Sequence, residues 1–229
     1  MKTNAAIFVD HPRCSVAGVN CITDALDSKF KFKIFTKHEL PYNFFDDVNL
    51  IIIPGGFGDA DTFSSAMRLH TKTIRDKVLN DGVAYLGICM GAYWAGKHYL
   101  NLLKDKDCVQ YLSRPNADTR RPHAKHLEVT WNGDKERMYW YDGCSIIGSG
   151  KFDVVSYYNN GDAMAGYQGR VGLIGAHPEA DKDWYEPYSW MRKVWEGNEH
   201  NKKLLLEFTE ELMNRGSHSS TGRANRFER

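Results

Sequence analysis

The sequence predicts an α/β protein: a mainly parallel sheet with helices on both faces, and antiparallel hairpin strands added in the second half. Two observations carry this. The first half alternates strand-like and helix-like segments, which implies parallel strands joined by covering helices. From about Val109 to Ile174 the segments become short, aromatic and punctuated by glycine, the pattern of hairpins. A chain of 229 residues suits one large domain or two small ones. No internal repeat or long linker divides it, so a single domain over 1–216 is expected. The polar segment 217–229 lacks a periodic apolar face and reads as a disordered tail.

The elements follow in order. Ala5 to Val9 is a short apolar run that ends at the turn Asp10-His11-Pro12. Ser15 is placed to cap a helix whose apolar side carries Val16, Val19, Ile22 and Leu26. Phe30 to Phe35 nearly alternates, as a strand with one polar face does. Leu50 to Ile53 is continuously aliphatic, as expected where both sheet faces are covered, and Pro54-Gly55-Gly56 stops it. A helical stretch with Met67, Leu69, Ile74, Val78 and Leu79 precedes a second buried strand, Val83 to Ile88. Later strands are expected at Leu127–Trp131, closed by Asn132-Gly133, and at Met138–Tyr141, Asp153–Tyr158, Ala163–Tyr167 and Val171–Gly175. One helix from about Trp184 to Asn214, stopped by Gly216, completes the domain.

Composition narrows the function classes. Hydrophobic residues are 42% and charged residues 26%, ordinary for a soluble globular protein. Thirty basic against 29 acidic side chains leave a net charge of +1, with no overall field to attract nucleic acid or an anionic membrane. The longest weakly polar stretch, Val83 to Gly96, is shorter than the roughly 18 residues a membrane span needs. The N-terminus lacks the pattern of a secretory signal, so a cytoplasmic location is expected. Five cysteines, an odd number and widely scattered, suggest neither a disulfide framework nor a zinc site.

One of those cysteines stands apart. Gly87-Ile88-Cys89-Met90-Gly91 lies between a buried strand and the helix-compatible Ala92 to Gly96, which is the nucleophile-elbow pattern with sulfur as the nucleophile. The glycines two residues either side remove side chains that would collide in so sharp a turn. A helix N-terminus beneath the thiol also favours the thiolate. Cys89 needs a base, and His177-Pro178-Glu179 follows the last apolar strand. Pro178 disfavours a helical His177, and in extended chain Glu179 points to the same side as the imidazole it would orient. Alone, such a tripeptide is more often a surface turn; coupled to the elbow, it reads as catalytic.

Cys89 in its elbow with a late His-x-Glu resembles the class I glutamine amidotransferase-like superfamily. More closely, Pro54-Gly55-Gly56, Gly87 to Tyr93, Tyr157 to Gly161 and Gly175 to Glu179 resemble the biotin-protein ligase N-terminal-like family, over about Ala5 to Glu179. The resemblance implies a flavodoxin-like fold with the site at the carboxyl ends of the strands. It further implies Cys89, His177 and Glu179 as catalytic residues, with backbone at Gly55 or Gly56 as one oxyanion donor. The amide of Met90, just after the nucleophile, is the other by elbow geometry. The resemblance also brings the turn Tyr158-Asn159-Asn160 near the elbow, as substrate contacts. One departure matters: glutamine-using members carry a Gln where this chain has Tyr93, and a phenol cannot reproduce an amide's paired donor and acceptor. Tyr93 is therefore a substrate-facing position, but glutamine does not follow as the substrate.

Other signals are weaker. Gly91 to Lys97 fits the spacing of a phosphate loop, but His98 replaces its Ser or Thr, and Tyr93 and Trp94 would crowd the phosphates. The basic stretch Arg114, Arg120, Arg121, His123, Lys125 and His126 reads as a solvated loop or as one rim of the pocket. His123 and His126 lack further ligands at metal-binding spacing, so neither a metal nor another cofactor is called for. The aromatic cluster Tyr139, Trp140, Tyr141, Tyr157 and Tyr158 reads mainly as core. The sequence thus points to an amidohydrolase or amidotransferase-like enzyme acting on a small amide through a thioester. If ammonia is the product, a separate synthetase consumes it; no nucleic acid or membrane partner is expected. The alternative is a non-catalytic regulatory or scaffold module on the same fold. A peptidase or deglycase fits less well, because that class places a His directly after the nucleophile, where this chain has Met90.

Overall fold

A computed structural model describes residues 1–14, 16–57 and 59–215. The expected cap Ser15, the helix stop Gly216 and the expected disordered tail 217–229 lie outside these residues. The parallel part of the sheet consists of β1 (Thr3–Phe8), β2 (Phe30–Phe35), β3 (Leu50–Ile53), β4 (Ala84–Ile88) and β11 (Val171–Ile174). They stand side by side in the order β2-β1-β3-β4-β11, the doubly wound arrangement of a flavodoxin-like sheet. Leu50 to Ile53 are fully buried, which explains why this strand carries no alternation.

Beyond β11 the sheet turns antiparallel through β10 (Ala163–Gln168), β9 (Asp153–Tyr158), β6 (Lys125–Trp131) and β7 (Asp134–Trp140). Two further strands, β5 (Asp107–Gln110) and β8 (Cys144–Ile147), pair with each other, and β8 also pairs with β10. Neither had been expected, because four residues without alternation give no periodic signal.

The helices are α1 (Val16–Leu26), α2 (Ala60–Met67), α3 (Thr71–Leu79), α4 (Met90–Trp94), α5 (Lys182–Tyr185), α6 (Ser189–Arg192) and α7 (Glu199–Asn214). α1 packs on α7, which in turn lies on β4 and β11. Two expectations need correction. The stretch containing Met67 to Leu79 is two helices, parted around Leu69, which is exposed. The single helix expected from Trp184 is three, broken at Pro187, which lacks the N–H a helix interior needs, and at Gly197, whose φ of +95° leaves the helical region. None of these helices is long and apolar enough to cross a membrane.

The register of β4 and β11 positions the chemistry. Ile88 pairs with Ile174 in parallel, so Cys89 and the segment leading to His177 leave the sheet together at its carboxyl edge. The turn after Cys89 is possible because Gly91 has no side chain: a Cβ there would stand 1.9 Å from the Ile53 carbonyl oxygen. Gly87 is equally confined, 2.5 Å from the Gly91 oxygen. Because backbone blocks the added methyl, Gly91→Ala should cost about 3 kcal/mol or more, measured as a fall in the denaturation midpoint.

Candidate active site at the carboxyl edge of the sheet

Cys89 joins β4 to α4 with φ +50° and ψ −105°, a conformation that an L-residue holds only when its surroundings enforce it. Its amide donates to the Ile174 oxygen at 2.8 Å, and its carbonyl accepts from Tyr93 at 3.1 Å and Ala92 at 3.0 Å. The backbone is thus clamped between the neighbouring strand and the following turn. The sulfur lies 3.7 Å from the Tyr141 carbonyl oxygen. The residue is only 5% exposed, but it opens onto a cleft of about 670 Å³.

His177 forms a second wall. Its amide donates to the Tyr139 oxygen at 2.8 Å, which ties it to the end of β7. Nδ1 lies 2.9 Å from Glu179 Oε1, with both side chains buried. Burial opposes a charge on the ring; Glu179 and the adjacent Cys89 sulfur outweigh it and push His177 up to about 10. The Cys89 sulfur is a side-chain hydrogen-bond partner of the His177 ring, and the helix that follows it, α4, is five residues long. Gly55 packs directly on the ring, where a Cβ would stand 2.3 Å from His177 Cε1. The N–H groups of Gly55, Gly56 and Met90 take no hydrogen-bond acceptor among the described residues. Cys89, Gly55, Gly56, Met90 and His177 all line the cleft, with Glu179 behind the ring.

Tyr93 also lines the cleft, and its hydroxyl donates to the Asp142 oxygen at 3.1 Å. The expected substrate contacts Tyr158, Asn159 and Asn160 do not line it. Tyr158 is 2% exposed, stacks on Tyr111 and donates to the Cys144 oxygen at 2.9 Å. Asn159 donates to Asp118, while Asn160 donates to the Pro115 oxygen and to Asp162. These side chains brace a loop, in which Arg114 pairs with Asp162 at 2.7 Å. Arg120 likewise donates to the Leu112 and Arg114 oxygens, so the basic stretch is not a rim of the cleft. The segment with phosphate-loop spacing forms α4, where Trp94 is buried.

The cleft walls were missed in the sequence. Trp184, Tyr188, Tyr139, Tyr141, Tyr99 and Phe57 line it, along with Arg13, Asp59, Gln110 and Asp142. Alternation at the end of β7 gives the signal: Tyr139 and Tyr141 face the cleft, whereas Trp140 between them is fully buried. Among the described residues, no group of three His, Cys, Asp or Glu side chains is placed to hold a metal ion.

No family model and no curated protein matches this sequence. Solved structures do share its fold. A glutamine amidotransferase from Thermotoga maritima matches at TM-score 0.65 and 13% identity, over 93% of this chain and 99% of that one. PurLQS from the same organism matches at TM-score 0.57 and 18% identity, over 93% and 99%. A β-galactosidase from a psychrophilic Marinomonas matches at TM-score 0.53 and 12% identity, over 93% of this chain and 29% of that one. At such identities the likeness shows the fold alone, one that this chain shares with glutamine amidotransferases, and a fold does not name a reaction.

Two outcomes follow from the geometry. Tyr158→Phe should lower stability by about 1–3 kcal/mol, by leaving the Cys144 carbonyl unsatisfied, with the alkylation rate of Cys89 unchanged. The folded His177 ring holds its proton more tightly than a free imidazole, which loses it at about 6.5. The stability it contributes is therefore complete below pH 6.5 and is lost as pH rises through about 10. Denaturation midpoints across that range should fall for the wild type and flatten in Glu179→Gln.

Proposed function

We propose that this protein is a cysteine-dependent amidohydrolase or amidotransferase-like enzyme. Cys89 is the nucleophile, His177 the proton carrier and Glu179 the group that orients it. The observation that carries this reading is the cleft-lining sulfur beside an imidazole whose far nitrogen is bound to a buried carboxylate. A thiolate next to an imidazolium is a nucleophile at neutral pH, and the same imidazolium has a proton for the leaving nitrogen. The fold shared with glutamine amidotransferases agrees with this chemistry, and the order of motifs favours a place near the biotin-protein ligase N-terminal-like family.

The reaction runs in two halves. Sγ attacks the amide carbonyl and the carbonyl oxygen gains charge, which the N–H groups of Met90 and of Gly55 or Gly56 stabilise. The C–N bond breaks as His177 gives its proton to the departing ammonia or amine, leaving a thioester. Neutral His177 then takes a proton from water, which attacks the thioester; acid is released and the thiolate and imidazolium return. Where ammonia is the wanted product, a separate synthetase receives it.

Cys89→Ala should abolish amide turnover while leaving the denaturation midpoint close to wild type. His177→Ala should lower the rate about 10²–10⁴-fold. Alkylation at neutral pH should mark Cys89 ahead of Cys21, whose thiol burial pushes up to about 11. Unchanged turnover in Cys89→Ala overturns the reading; a Cys89 no more reactive than a free thiol favours a non-catalytic module.

A further inference from the structure

The wall chemistry of the cleft says what it takes. We infer that the acyl donor is a neutral amide with an aromatic or bulky apolar acyl group, not free glutamine, and that Tyr93, Tyr139 and Trp184 set this preference. The inference rests on Cys89 being the nucleophile and adds its substrate class.

Size is the first argument. A volume of about 670 Å³ falls within the roughly 300–1,000 Å³ of clefts that enclose drug-sized molecules, far more than one small amino acid fills. The second is surface. Tyr93, four residues after Cys89, has its hydroxyl committed to the Asp142 carbonyl, so it offers the cleft ring carbon rather than a polar group. Trp184 sits edge-on to His177 with centroids 5.1 Å apart, and Tyr139 does so at 5.9 Å. The aromatic wall therefore reaches the reacting centre itself. Tyr188 and Tyr141 extend it outward.

The third argument is charge. Free glutamine carries a carboxylate and an ammonium, and each must find a partner when removed from water. The charged lining groups are already engaged. Asp59 caps α2 through Thr62 and feels the opposite charge of Arg13, which also binds Ser65. Asp142 accepts two contacts from Gln110, and burial holds its carboxyl above the usual carboxylate range. His177 is held by Glu179. A neutral, ring-bearing amide asks nothing of these groups and buries its ring against others.

The test compares 3-phenylpropionamide, butyramide and free L-glutamine with the full chain, reading ammonia release and the acyl adduct on Cys89 by intact mass. The aromatic amide should show kcat/KM at least about tenfold above the other two. Tyr93→Gln should narrow that ratio, and Tyr141→Ala, at a more exposed position, should raise KM for the aromatic amide alone. Calorimetry with Cys89→Ala separates binding from chemistry: 3-phenylpropionamide should bind and glutamine should not. Glutamine equal to or better than the aromatic amide, or no binding of the aromatic amide to Cys89→Ala, overturns the inference. In the first case the nucleophile stands; absence of any adduct, together with ordinary alkylation of Cys89, removes both.

Discussion

Everything at this site depends on Glu179, a carboxylate fully removed from solvent that stands 2.9 Å behind His177. A buried carboxylate is costly unless a positive group and hydrogen bonds answer it. Here the answer is the imidazole, and the imidazole in turn answers the sulfur. Oε2 of Glu179 has no hydrogen-bond partner among the described residues, so the charge is directed at the ring through one oxygen. The three side chains form one contact chain, Glu179 to His177 to the Cys89 sulfur.

The sheet makes this unit possible at little conformational cost. Parallel pairing of β4 with β11 delivers Cys89 and the His177 segment to the same edge from positions 88 residues apart in sequence. The strained elbow is over-determined: its amide is fixed by Ile174, its carbonyl by α4, and its neighbours Gly87 and Gly91 by backbone contacts. The wall opposite is carried by a small apolar cluster of Ala124, Tyr139, Ala180, Tyr185 and Met191, separate from the main core. One packed layer therefore holds Cys89, and a second holds the aromatic side of the cleft.

Much of this was legible in the sequence because the information is local. A Gly-x-Cys-x-Gly after an aliphatic strand defines the elbow by sterics, and His-Pro-Glu does bring ring and carboxylate together, though through a turn closed by the Ala180 amide on the His177 oxygen rather than through the extended chain expected. The aliphatic runs β3, β4 and β11 were equally plain. What escaped depends on contacts distant in the chain. β5 and β8 are too short to show a period, and they exist because each completes the other's hydrogen bonds. Tyr158 looked like a site residue by motif, yet its hydroxyl satisfies the buried Cys144 carbonyl. Conversely, Tyr139 and Tyr141 read as core, because sequence alone does not say which face of β7 meets solvent.

The closeness of Gly55 to the His177 ring bears on the pairing of that ring with its carboxylate. Nδ1 is held by Glu179, and the ring packs so closely on Gly55 that a Cβ there would stand 2.3 Å from Cε1. Nε2 is the ring nitrogen that Glu179 leaves free of its own contact. A side chain at position 55 would push the ring off its carboxylate, so the pairing of His177 with Glu179 relies on a residue that contributes no side chain at all.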